Sequence, residues 1–402
     1  MQSETGLPKK KILITGSTFP RYRGDTEPRF LLDFAKAMSE YAEVTVLVPA
    51  AIGAADREVL EGVLVERYHY FPIHSLETLC YPGAIVPRIK QKKARVLLVP
   101  WLFASLYWNL FKRRKKYDIV HAHWIIPQGI IASFVRIPYL VTGHGGDVTS
   151  LNKGIFKYLK KRCITKAIGV TTVSEPLMQV CEQMGDNPNR TVISMGCDTT
   201  QFGRQYRKEQ YFHQKNNRVI LFVGRLAEKK GVTYLIDAMQ YIDDAVLVIV
   251  GKGPLQEKLL RQARHINKQR GRECIRFLGA KTHQELQTIY ASADIFVMPS
   301  VTARDGDKEG FGLVMLEAFA SGLPVVASKS GGIVDLVQDG VNGYLVEEKN
   351  SEQLAERINI VLHDKNIYNK LVEAAGETVR QYDYHEIAHK YYAFIEEILS
   401  ES

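Results

Sequence analysis

Two carboxylates bracket a glycine loop and the opening of a helix in the segment Glu309-Gly-Phe-Gly-Leu-Val-Met-Leu-Glu317. Gly310 and Gly312, with Phe311 between them, let the backbone come close to a ligand. The free amides of a helix beginning near Leu313 can receive a diphosphate. Glu317, one turn further, would repel phosphate, so its natural partner is a neutral diol such as a ribose. Glu309, on the loop, can face an attached sugar. A solvated surface cap explains the pattern less well. Such a cap needs only Ser, Thr, Asp or Asn, and Glu317 lies among Val314, Met315, Leu316, Ala318 and Phe319. A charge left unpaired in that company costs roughly 3 to 5 kcal/mol.

Other residue groups point the same way. The strand Val219 to Val223 ends in Gly224-Arg225-Leu-Ala-Glu-Lys229-Lys230-Gly231, which places cations where a parallel sheet binds its ligands. Breaking a sugar–diphosphate bond builds negative charge on the departing diphosphate, and oriented cations in a water-poor site favour that charge. Lys229 suits a solvated loop position. The loop Thr142-Gly143-His144-Gly145-Gly146-Asp147 sets an imidazole among glycines after another strand. His121 and His123 alternate along Asp118 to His123 and share a face, but no third ligand stands at a convincing metal spacing. Asp305-Gly-Asp307 is the type of pair that holds a divalent cation against a diphosphate. It precedes Glu309 in a loop, and Arg225 and Lys230 already supply positive charge, so a metal-independent site is expected. The first strand-to-helix loop, Phe19-Pro-Arg-Tyr-Arg-Gly24-Asp25, has no Gly-x-Gly-x-x-Gly, which argues against a nicotinamide dehydrogenase.

The elements that must position these groups follow an α/β rhythm. Apolar, β-branched runs at Ile12 to Thr15, Val44 to Val48, Asp118 to His121, Tyr139 to Thr142 and Ile168 to Val173 alternate with helical patterns. The rhythm restarts at Arg218 to Gly224, Ala245 to Gly251, Ile275 to Leu278, Ile295 to Met298 and Pro324 to Ala327. This is parallel patterning in two tandem sheets. The polar stretch Gln201 to Asn217 reads as the linker, and the active site is expected in a cleft between two halves. A chain of 402 residues suits two cores. Five scattered cysteines, Cys80, Cys163, Cys181, Cys197 and Cys274, include no Cys-x-x-Cys pair and read as buried thiols in a reducing, cytoplasmic setting. The polar Met1 to Pro8 and the short apolar strand after Lys9-Lys10-Lys11 predict no secretion signal.

These motifs resemble the retaining GT-B glycosyltransferases grouped as family 4, over most of the chain. The resemblance rests on the Glu-x7-Glu segment, Gly224-Arg225-Leu226 with Lys230-Gly231, the Gly143-His144-Gly145 turn, and Pro299-Ser300. It implies two Rossmann-like doubly wound domains: residues 1–203 with a crossover helix at 385–402 for the acceptor, and residues 204–384 for the donor. It implies transfer of a hexose from a UDP- or GDP-linked donor to a hydroxyl acceptor, a glycan or lipid-linked precursor, with retention and no cofactor. By resemblance Arg225 and Lys230 hold the diphosphate, and His144 and Glu309 act on the sugar. Gly24 lines the sugar, while Gly224, Gly251, Lys252, Gly253, Lys281, Gly310, Phe311, Gly312, Leu313 and Glu317 bind donor. A front-face route, in which the leaving diphosphate helps activate the acceptor, is also implied. The rival readings are a nucleotide-sugar epimerase, which would act on donor alone, and a non-catalytic, membrane-recruited sugar-nucleotide binder.

The net charge of +9 and pI near 9.1 call for an anionic partner. Arg88 to Arg95 and Lys112 to Lys116 flank the aromatic segment Val96 to Phe111, which contains Pro100. The segment reads as short for a membrane span. Residues 88–116 are expected to attach peripherally to an anionic, cytoplasmic membrane face. No recognised nucleic-acid motif accompanies them, so no nucleic-acid partner is expected.

Overall fold

Strands such as Ile12-Leu13-Ile14 and Leu247-Val248-Ile249 are wholly buried, the pattern of parallel sheets covered on both faces. The computed structural model describes residues 9–25, 27–209, 211–212 and 218–401. The expectation for Met1 to Pro8 and part of the expected linker lie outside them. The chain divides into two compact units. One comprises the residues up to Val173, Met178–Ile193 and those from Tyr384 onward; the other comprises Ser174–Leu177 and Ser194–Asp383.

The first unit is built on Lys11–Thr15 (β1), Glu43–Pro49 (β2), Arg57–Leu60 (β3), Val63–Tyr68 (β4), Ile119–His123 (β5), Tyr139–Gly143 (β6), Gly169–Thr172 (β7) and Arg190–Val192 (β8), in the order β3-β4-β2-β1-β5-β6-β7-β8. Only β3 with β4 is antiparallel. Neither they nor β8 belonged to the expected series. The helix Tyr384–Ser400 packs on the helix Phe30–Met38, with the rings of Tyr391 and Phe34 5.0 Å apart. The Tyr391 hydroxyl donates to the Ile193 carbonyl at 2.8 Å.

The second unit contains Arg218–Val223 (β9), Ala245–Val250 (β10), Ile275–Gly279 (β11), Ile295–Met298 (β12), Val325–Ser328 (β13) and Gly343–Val346 (β14), all parallel, in the order β11-β10-β9-β12-β13-β14. Its core packs Phe222, Leu247 and Val297 from the sheet against Leu235, Leu259 and Ile358 from helices. The described part of the expected linker is no free tether. Phe202 is buried edge-on against Tyr290 and His283, and Arg207 pairs with Asp294 at 3.4 Å. Its apolar rings, spaced among polar residues, hid that packing.

At the carboxyl ends of β9, β10 and β11 the loops touch backbone to backbone. Gly224 N–H donates to Val250 O at 3.0 Å, Gly251 N–H to Gly279 O at 2.8 Å, and Leu226 N–H to Lys252 O at 3.0 Å. Gly251 has a φ of +132°, and a Cβ there would stand 1.9 Å from the Gly224 carbonyl oxygen. No side chain fits. At Gly376, inside the helix Lys365–Arg380, a Cβ would meet nothing within 4 Å. Gly251→Ala is therefore expected to destabilise the second unit by at least about 2 kcal/mol. Gly376→Ala should stabilise it by roughly 0.5 to 1 kcal/mol. Urea unfolding of both variants checks this pair of opposite signs.

Candidate functional site

The second unit gathers its cations and carboxylates at the ends of β9 and β12. The turn Glu228–Lys230 follows β9, and Lys229 O accepts the Val301 amide at 2.8 Å, which ties it to the loop after β12. Across that tie, Lys230 Nζ meets Glu309 Oε2 at 2.6 Å, with both side chains only 12–13% exposed. Burial would raise the Glu309 carboxyl. The ammonium groups of Lys230 and Lys229 and the Gly310 amide outweigh it, holding the carboxyl below its ordinary value.

This pairing makes each residue the other's counter-ion. Lys229 is corrected: rather than a solvated loop charge it lies part-buried, 3.1 Å from Asp307. Asp307 thereby acts as a partner of lysine. Among the described residues no group of three His, Cys, Asp or Glu could hold a metal ion. Arg225 is exposed and meets no acidic partner among the described residues.

The helix Leu313–Ala320 begins where expected, with Gly312 as its left-handed N-cap at φ +90° and no side-chain cap. Met315 N donates to Gly312 O at 2.9 Å, so the amides offered at this end of the helix are those of Leu313 and Val314. Phe311 turns its ring inward, 5.5 Å from that of Tyr382, so only its backbone is offered at the loop. Glu317 stands against Tyr290, whose phenol is pushed well up by burial and then by that carboxylate. Lys252 is exposed between Gly251 and Gly253. Lys281 is engaged by Glu285 at 2.9 Å, next to the capping box of Thr282 and Glu285. Glu348, unmarked in the sequence, anchors the acidic loop by accepting from Thr302 N at 2.8 Å and from Thr302 Oγ1 at 2.9 Å.

The first unit holds His144 and Gly24. Gly24 is exposed at φ +86°, on a loop fixed by buried Asp25, which accepts from Arg21 N at 2.9 Å and Tyr81 Oη at 3.0 Å. His144 belongs to a column of imidazoles. The ring centroids of His121 and His123 are 4.2 Å apart, and those of His123 and His144 5.2 Å. His123 Nδ1 lies 3.0 Å from His144 Nε2, and His121 Nε2 lies 2.8 Å from Thr142 Oγ1. Asp147 holds the turn by accepting from the amides of His144 at 3.0 Å, Gly145 at 2.8 Å and Ile125 at 2.8 Å. Fully buried Lys160 donates to Val148 O at 3.0 Å, Asn152 Oδ1 at 2.7 Å and Ser150 O, bracing the chain just beyond. Neither tie was visible in the spacing of residues.

Burial pushes His121 and His144 down to about 3, and burial with its two imidazole neighbours drives His123 down as well. All three are therefore neutral near pH 7. Buried His123 Nε2 has no partner. A bare lone pair is tolerated there better than an orphaned N–H, so the His123 proton sits on Nδ1 and is donated to His144 Nε2. His144 must then carry its own proton on Nδ1, as a donor for an oxygen ligand.

Separate models match the two halves of the chain: "Glycosyltransferase Family 4" over residues 28–201 and "Glycosyl transferases group 1" over residues 204–378. An uncharacterized glycosyltransferase of Methanocaldococcus jannaschii is 32% identical over 68% of this chain and 73% of its own. The chain belongs to glycosyltransferase family 4. Within that family the sulfoquinovosyl transferase of Arabidopsis thaliana is 27% identical over 88% of this chain and 66% of its own. The phosphatidyl-myo-inositol mannosyltransferase of Mycobacterium leprae is 29% identical over 68% and 71%. In fold, this glycosyltransferase is similar to a sucrose-phosphate synthase from Thermosynechococcus elongatus, with a TM-score of 0.78 at 19% identity, covering 98% of this chain and all of the other. HepE of Anabaena, solved with UDP and glucose, gives 0.69 at 24% over the same shares. The fold is GT-B.

Two outcomes are expected. Lys230→Ala should cost the second unit about 3 kcal/mol by stranding Glu309, and adding Glu309→Gln should recover at least about 1 kcal/mol; a double-mutant cycle in urea reads the coupling. For the histidines, the unfolded chain titrates near 6.5 and folded His121 near 3. Below about pH 6.5 the unfolded chain therefore takes protons that the folded one refuses, and stability falls. The loss should approach about 1.4 kcal/mol per pH unit for each of His121 and His123. Imidazole ¹⁵N shifts between pH 7 and pH 5 should show neutral rings, with the proton of His144 on Nδ1.

Proposed function

We propose that this glycosyltransferase moves a hexose from a UDP- or GDP-linked donor to a hydroxyl on a lipid-linked or cell-surface glycan precursor, with retention and without a metal. The observation that carries the reading is the Lys230–Glu309 pair with Arg225, exposed and without an acidic partner among the described residues, and the amides at Leu313 that no side chain caps. Together they form a cationic cradle whose net positive charge suits a diphosphate. When the bond from the sugar C1 to the phosphate oxygen breaks, its electron pair goes to the diphosphate. The acceptor oxygen bonds to C1 on the same face, and its proton passes to the departing phosphate oxygen. Arg225 and Lys230 stabilise the charge that grows on the leaving group. Glu309 keeps Lys230 charged and aimed, and the Nδ1–H of His144 is suited to a sugar hydroxyl.

The choice of donor draws on HepE, solved with UDP-glucose. The lipid-linked acceptor draws on the relative named for transfer of mannose to phosphatidyl-myo-inositol. Arg225→Ala is expected to lower turnover by roughly two to four decades with folding retained. A matching nucleotide sugar at about 100 times its dissociation constant should add roughly 2.7 kcal/mol of stability. A thermal-shift panel of UDP- and GDP-sugars, followed by turnover in a chelator and the anomeric coupling of the product, tests base, metal and stereochemistry in turn. No shift with any nucleotide sugar, together with near-normal turnover of Arg225→Ala, would overturn the reading.

A further inference from the structure

Ten Lys or Arg residues and no Asp or Glu lie between positions 78 and 117. The whole chain has 53 basic and 44 acidic residues, so everything outside this segment is nearly balanced at 43 against 44. The excess positive charge is therefore local. A helical run of 21 residues, Lys93–Arg113, occupies the segment, and an 18-residue window within it has a mean hydropathy of 1.3. That is long and apolar enough to cross a membrane, and longer than the sequence reading allowed.

Its two faces differ. Leu98, Leu102, Leu106 and Leu110, four apart, are buried within the first unit. Ser105 Oγ donates to His69 O at 2.7 Å, and Arg113 pairs with Glu66 at 2.7 Å. Surrounding this helix with lipid would strip those leucines and that ion pair from the unit, so a span conflicts with the fold. The other face presents Leu97, Trp101 and Trp108 at i, i+4 and i+11, at 72%, 50% and 52% exposure, forming one stripe. Val96 and Tyr107 flank it, also exposed. Exposed Lys92 and Lys93 stand at one end, and Lys112, Lys115 and Lys116 at the other.

We propose that this stripe is a docking surface for the anionic, cytoplasmic leaflet of a bilayer, with Trp101 and Trp108 in the headgroup layer and the lysines on lipid phosphates. Aromatic residues between basic clusters match the interfacial chemistry of such a surface. Single-stranded RNA is a poorer match because the Trp108 ring is already engaged: it lies nearly parallel to Phe111, with Lys112 Nζ 5.0 Å from its centroid. A nucleobase would need such a ring free for stacking.

The full chain is tested by sedimentation with vesicles of phosphatidylcholine alone or with one third phosphatidylglycerol. Binding is expected only to the anionic vesicles, reversed by high salt and unaffected by single-stranded RNA. Replacing Lys92, Lys93, Lys115 and Lys116 by Gln should weaken partitioning by about two to three orders of magnitude. Trp101→Ala with Trp108→Ala should abolish quenching by brominated lipid. Trp124, the third of three tryptophans, packs beside His144 and reports that the unit remains folded. Equal indifference to both vesicles, displacement by RNA, or resistance to alkaline extraction from native membranes would each overturn the proposal. Vesicle binding is read without turnover, so its failure and that of the donor assignment are separate outcomes.

Discussion

The 2.6 Å contact between Lys230 and Glu309 is the constraint around which the second unit is arranged. A lysine and a glutamate so little exposed are tolerated only together, since either alone would be an uncompensated charge. Bringing them together requires the turn after β9 to meet the loop after β12, and the hydrogen bond between Val301 and Lys229 makes that junction. At the neighbouring crest the Gly251 backbone lies so close to the Gly224 carbonyl that no side chain could intervene there. The position of this charge pair is thus fixed by backbone geometry within the unit itself, as a preorganised site requires.

The first unit solves a different problem. His121 and His123 sit on β5 and His144 directly follows β6, with His123 opposite Thr142 in the register of the two strands, and burial keeps them neutral. Neutrality matters because the rings of a charged column, so close together, would repel one another. Asp147 and Lys160 spend their charges on backbone amides and carbonyls, so the turn carrying His144 is held by hydrogen bonds and the imidazole itself stays uncharged.

Interior parallel strands such as β1, β5, β9 and β10 were legible because both faces are covered and the sequence runs apolar without interruption; β4 and β14, with part-exposed positions, were not expected. β3 and β8 were missed for the converse reason: they are edge strands, and Arg57, Glu58 and Arg190 do not show a buried alternation. The glycine-flanked helix at Leu313 was legible since Gly312 must take a left-handed turn that few other residues accept. What spacing could not show is who meets whom. Lys230 and Glu309 are 79 positions apart, and the amphipathic division of Lys93–Arg113 depends on which leucines find the sheet. Partnership is a property of topology, whereas local composition shows only the capacity for it.

The helix Tyr384–Ser400 covers the ring of His121 with Tyr391, yet the residues that lead into it, Ser194–Asp383, belong to the second unit. During synthesis the segment 194–383 emerges as a continuous stretch with its own sheet complete. The imidazole column of the earlier part is covered at His121 by chain that lies beyond that sheet. The first unit's core is therefore completed by residues that the whole second sheet separates from it in sequence.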